Sequence, residues 1–169
     1  MNERIRQWTQ DRDALEENYR LYLKRRIIQK LPRSRNLVSA HIEKSDHNLE
    51  FSYFLFTQNR FLDWTIVGLY YAVYHASLAL LAHKGFSSKD HIATLCFLIK
   101  HYSEFSQEDI DLYYDLLITQ KEIQFYARLK RERQQASYST RTLFNEEKVE
   151  ELREKAIDFI NKVKMILEG

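Results

Sequence analysis

The chain is short of the residues that make turns and cross-links. One proline and three glycines in 169 residues leave little punctuation, so the elements between them must be long. A single cysteine, Cys96, excludes an internal disulfide; it lies in the apolar run 93–99 and is expected to be a small buried hydrophobe. Basic residues exceed acidic ones by only two, so net charge neither demands nor excludes a polyanionic partner. No stretch offers the roughly 18 to 20 uninterrupted apolar residues of a membrane span, and the first residues are charged rather than apolar, so no membrane partner and a cytoplasmic location are expected. Sustained two-residue alternation is missing, which predicts no sheet. Nucleophile elbows, phosphate-cradling glycine loops and Cys-x-x-Cys pairs are missing too, which removes the familiar hydrolase and nucleotide-fold signatures.

What remains is helical periodicity in a chain with 44% hydrophobic and 30% charged residues, a globular balance for one domain. Ile5, Trp8, Leu15, Tyr19 and Tyr22 recur at helical steps through a charged segment over 4–31, which Pro32 ends. The stretch 31–36 therefore divides a charged helical N-terminal arm (1–35) from a bundle (36–169). Apolar stripes predict helices over 37–58 and 62–84, the second closed by Gly85. Ser87 before Asp90 and Ser106 before Asp109 have capping-box spacing and open helices over 88–102 and 107–132; Asn145 caps a last helix over 146–168. The expected fold class is all-α: an antiparallel up-and-down helical bundle of four to five core helices, with the arm attached.

Two constellations bear on function. Arg128, Lys130, Arg131, Arg133 and Arg141 face only Glu132 in opposition, a local positive excess that the overall balance hides. Cations at a helix C-terminus also complement its dipole without any ligand. Phe125, Tyr126 and Tyr138 share that stretch, and single-stranded RNA is commonly held by arginines on phosphates with bases stacked on aromatic rings. In the second constellation, Tyr71, Tyr74 and His75 fall on one side of a helix, while Gly68, Ala72, Ala76 and Ala79 permit a close neighbour. The plainer reading of His75 is a satisfied core histidine. Glu43, His47 and Glu50, and His101 before Glu104, have ligand-like steps but lack the paired Glu-x-x-His order of carboxylate bundles, so neither metal nor cofactor is assigned.

The run Leu69-Tyr70-Tyr71-Ala72-Val73-Tyr74-His75-Ala76, then Lys84-Gly85-Phe86, Lys89-Asp90-His91 and Arg133-Gln134-Gln135-Ala136-Ser137-Tyr138, resembles one branch of the HEPN domains (higher eukaryotes and prokaryotes nucleotide-binding) over roughly residues 38–168. The resemblance implies a four- or five-helix bundle and a homodimer with a shared cleft. It also implies metal-independent RNA cleavage or nucleotide binding, often beside a small nucleotidyltransferase partner or within a toxin–antitoxin pair. Nuclease members carry Arg, four to six residues, then His; here Arg133 is followed after four residues by Tyr138, and Ser137 stands where the branch has Asp. An imidazole near pKa ~6.5 exchanges protons at physiological pH, whereas a phenol near ~10 is a poor base. The chain is therefore expected to bind RNA or a nucleotide through Arg128, Arg131, Arg141, Tyr71, Tyr74 and His75, with Arg133 and Tyr138 as a degenerate catalytic pair. Two alternatives stay open. One is a metal-independent endoribonuclease in which Arg133 stabilises the phosphate transition state and Tyr138, or a histidine from elsewhere such as His75 or His91, is the acid or base; the other is a protein-interaction module.

Overall fold

In the computed structural model, which describes residues 3–59, 61–132 and 145–169 and side chains at all of these but 125–132, Asp11 divides the first helical stripe in two. Its carboxylate accepts from the amides of Asp13 (2.9 Å) and Ala14 (3.1 Å), ending α1 (Glu3–Gln10) and starting α2 (Arg12–Lys24). The helix does not run to Pro32 as its periodicity suggested. Arg26 turns the chain at φ 54°, and Ile28–Lys30 forms a strand, β1, paired antiparallel with β2 (Phe86–Ser88) in the register Ile28↔Ser88. The expectation of no sheet is thus corrected: strands of three residues are too short for alternation to register. Leu31 closes the ribbon by donating to the Gly85 carbonyl at 2.8 Å, and Pro32, which has no N–H, stands just beyond the pairing.

Ser34 caps α3 (Arg35–Thr57) through the amide of Leu37, and a short connection leads to α4 (Leu62–His83). The two helices are antiparallel and close. The Ser45 hydroxyl donates to the Ala72 carbonyl at 2.8 Å, and a Cβ on Gly68 would lie 2.9 Å from that of Ser52. The small residues of α4 do what their spacing suggested. Gly85 follows α4 at φ +78°, the left-handed position that ends many helices, and the Leu31 carbonyl would lie 2.9 Å from any Cβ there. Asp90 caps α5 (His91–His101) by accepting from Ala93, where the sequence pointed to Ser87; Ser87 is taken by β2. Ser106 and Asp109 exchange bonds at the head of α6 (Gln107–Glu132), and Asn145 caps α7 (Glu146–Glu168) through Lys148, both as expected.

Among the described residues the chain thus forms seven helices and one two-stranded ribbon. The bundle is all-α in character, with α4 at its centre against α3, α5, α6 and α7. Leu69, Leu80 and Leu81 of α4, Phe97 of α5, Leu117 of α6 and Phe159 of α7 are all essentially sealed from solvent. Each such side chain contributes about 1.5–3 kcal/mol. α4 is long and apolar enough to cross a membrane by length and composition, but 78% of its apolar window is buried against the other helices. Ile5, Trp8, Leu15, Tyr19 and Tyr22 of the arm join this same core, and Glu16 pairs with Lys100 of α5.

Candidate nucleic-acid interface

The polar groups that α4 carries converge with those of its neighbours on one side of the bundle. Tyr70 is 2% exposed, and its hydroxyl meets Nδ1 of His91, the first residue of α5. Burial holds the Tyr70 phenol far above its usual range, so it keeps its proton. The protonated phenol donates to a bare Nδ1 or accepts from an Nδ1–H, and either bond holds the His91 ring against Tyr70. The His91 carbonyl accepts from Tyr113 of α6 at 3.0 Å, which fixes the start of α5 to a third helix. Tyr74 lies parallel to Tyr70 (centroids 6.0 Å, planes 8° apart) and packs on His91 at 4.3 Å. Tyr71 meets Tyr70 edge-on at 5.0 Å.

His75 continues the row. Its ring lies 6.0 Å from Tyr74, and its Nδ1 stands 3.2 Å from Nδ1 of His41 on α3. At that distance one ring donates and the other accepts, so the pair offers one bare Nε2 and one Nε2–H. Burial, with His41 and Lys44 nearby, pushes His75 down to about 4; burial alone lowers His41. Burial also lowers His91, with Asp90 opposing and Lys121 of α6 assisting. At neutral pH the three imidazoles are therefore uncharged. They present hydrogen-bonding nitrogens beside aromatic faces, with lysines at the margin. Such a surface suits the edge and face of a heterocyclic base better than it suits a bare anion. Among the described residues no three His, Cys, Asp or Glu side chains converge as a metal would require.

Of the residues singled out from sequence, Tyr71, Tyr74 and His75 stand together here, half-buried. Arg128 and Arg131 belong to the last two turns of α6, beyond Lys121, and their side chains lie outside the described residues. Arg133, Tyr138 and Arg141 also lie outside the described residues. His41 and Tyr70 were not picked out as site residues. Their signal was the hairpin register that sets Ser45 on Ala72, which places His41 opposite His75 one turn further along.

Comparison with known families gives one finding: the family model for the HEPN domain matches residues 38–166. No curated protein matches the chain.

Proposed function

The chain belongs to the HEPN domain family, whose functions are nucleotide- and RNA-related, and from that premise we propose that it binds RNA or a nucleotide on the α4–α5 surface. The observation that carries the proposal is the row His41–His75–Tyr74–His91–Tyr70, in which neutral, hydrogen-bonded imidazoles stand among tyrosine rings. Tyr74 and Tyr71 offer ring faces for base stacking, worth about 1–3 kcal/mol per base. The His41–His75 pair offers base edges one donor and one acceptor. Arg128, Arg131 and Arg141 supply phosphate contacts from the end of α6 and the segment after it, and Arg133 with Tyr138 forms the degenerate remnant of a cleavage motif. The setting is that of a cytoplasmic homodimer working beside a nucleotidyltransferase or as half of a toxin–antitoxin pair.

A second reading has its own support. The bare Nε2 of the His41–His75 pair is a proton acceptor, so metal-independent cleavage of RNA has a base without a histidine at position 138, the leaving oxygen taking its proton from water. The two readings separate when purified protein is incubated with mixed RNA oligonucleotides in EDTA at low salt, scoring cleavage and filter retention together. Retention without cleavage, reduced in Tyr74→Ala and in Arg133→Ala, is the expected outcome. Cleavage lost in His75→Ala would make the protein a ribonuclease. If neither cleavage nor retention occurs, the α4–α5 surface is not an RNA site.

A further inference from the structure

Between Glu17 and Glu43 the chain holds seven basic residues and no acidic one, while 19 basic residues face 24 acidic ones over the rest of the sequence. The near-zero overall balance thus conceals a strong segregation. Arg20 pairs with Glu16. The other six, Lys24, Arg25, Arg26, Lys30, Arg33 and Arg35, are all exposed, and among the described residues none joins a salt bridge. The fold gathers them rather than dispersing them. α2 ends at Lys24, Arg26 reverses the chain, β1 carries Lys30, and Arg33 packs against Gly85 at the end of α4. The β1–β2 pairing adds exposed Lys89, whose amide donates to the Ile27 carbonyl at 3.2 Å. Like charges held this close repel one another, a cost that a polyanion would relieve.

The cluster also reaches the helix pair that carries the two facing imidazoles. Arg33, Arg35, Val38, Ala82 and His83 line a groove of about 350 Å³ between the start of α3 and the end of α4. Val38 lies one turn of α3 before His41, and Ala82 lies two turns of α4 beyond His75, so the groove sits on the same pair of helices as the imidazole pair. We propose that the basic ribbon formed by the end of α2, β1 and the start of α3 is a phosphate-backbone contact surface, so that the ligand is an RNA strand long enough to run from the ribbon to the α4 rings rather than a mononucleotide. This rests on the RNA reading of the α4–α5 surface and extends it to residues before position 38, outside the family match.

The test measures fluorescence anisotropy at several salt concentrations, using a mixed-sequence 24-nucleotide RNA and a trinucleotide. It compares the full chain with Arg25→Glu/Lys30→Glu/Arg33→Glu, the milder Arg33→Gln/Arg35→Gln, and Tyr74→Ala. All the altered cations are exposed, and thermal melts check that each variant folds. The triple variant is expected to bind the 24-mer at least about 10-fold more weakly. Its dependence of log affinity on log salt should be shallower by about 2, as three lost single-strand phosphate contacts imply, and trinucleotide affinity should be unchanged. The milder pair should lose a smaller share. An unchanged 24-mer affinity and slope in both charge variants overturns the ribbon even if Tyr74→Ala weakens binding. Weakening by the charge variants with none from Tyr74→Ala keeps the ribbon and removes the α4 rings. No RNA binding by the unaltered protein, with charge-dependent binding to phosphatidylserine vesicles instead, overturns the ribbon as a nucleic-acid surface.

Discussion

His75 and His101 are both half-buried imidazoles that burial holds down to about 4, yet their surroundings differ in kind. His75 faces another imidazole and belongs to a row of hydrogen-bonding rings on the α4–α5 surface. His101, at the end of α5, is wrapped by Tyr19 of the arm at 5.2 Å, Phe97 at 4.3 Å and Phe86 at 6.2 Å, and its Nε2 has no hydrogen-bond partner among the described residues. Trp8, also in the arm's packing, has its indole N–H in the same condition. The lesson is that a depressed pKa marks burial, not chemistry. What separates a candidate site from a packed core is whether the polar atoms of the ring have partners that fix their roles.

The contrast can be broken hardest at the arm. Trp8→Ala should cost about 3–5 kcal/mol of unfolding free energy, read by urea titration, because it empties a sealed site between the arm and α5. A loss below about 1 kcal/mol would mean that the arm packs elsewhere. RNA affinity per folded molecule should change little, since Trp8 is not among the rings that contact the α4 row in the described residues. Next in size is Tyr74→Ala, expected to weaken RNA binding by about 1–3 kcal/mol, about 5- to 150-fold, with the global melt lowered less than by Trp8→Ala.

Acid should act on both histidines alike. Each has a folded pKa near 4, below the unfolded value of about 6.5, so the unfolded chain takes up protons first as pH falls. Their contribution is complete above about pH 6.5 and is lost as pH drops towards 4. Melting should therefore move down by several degrees between pH 7 and pH 5, about 2–4 °C for each kcal/mol lost. His101→Leu sharpens the comparison: it should remove part of that acid sensitivity and hold or raise stability at pH 7 by up to about 1 kcal/mol, because it deletes an unpartnered buried nitrogen. It should leave RNA retention alone, whereas His75→Leu should reduce retention. At the small end, Ser106→Ala should cost about 1 kcal/mol by removing half of the reciprocal cap on α6.

Helix placement was legible wherever a cap marks the boundary. Asn145 and the Ser106–Asp109 pair put the starts of α7 and α6 where the side chains now accept and donate. Asp11 escaped notice because a capping carboxylate looks like any other charge in a segment already full of them, and the ribbon escaped because three residues carry no period. The site was half legible. Tyr71, Tyr74 and His75 share a face of one helix, which spacing reveals. The joining of His75 to His41 and of Tyr70 to His91 crosses 34 and 21 positions of sequence, and the first depends on a hairpin register with close packing at Gly68 and Ala72. The basic ribbon was hidden for another reason: acidic residues elsewhere cancel it in the total.

The central claim is that RNA or nucleotide is held on the α4–α5 row, and photocrosslinking tests it most directly. A 4-thiouridine oligonucleotide is irradiated with the purified protein at low salt and the adducts are mapped by mass spectrometry. The account predicts adducts in the peptides that contain Tyr71, Tyr74 and His91, diminished by excess unlabelled RNA. Competable adducts confined to other peptides, or none at all, would contradict it.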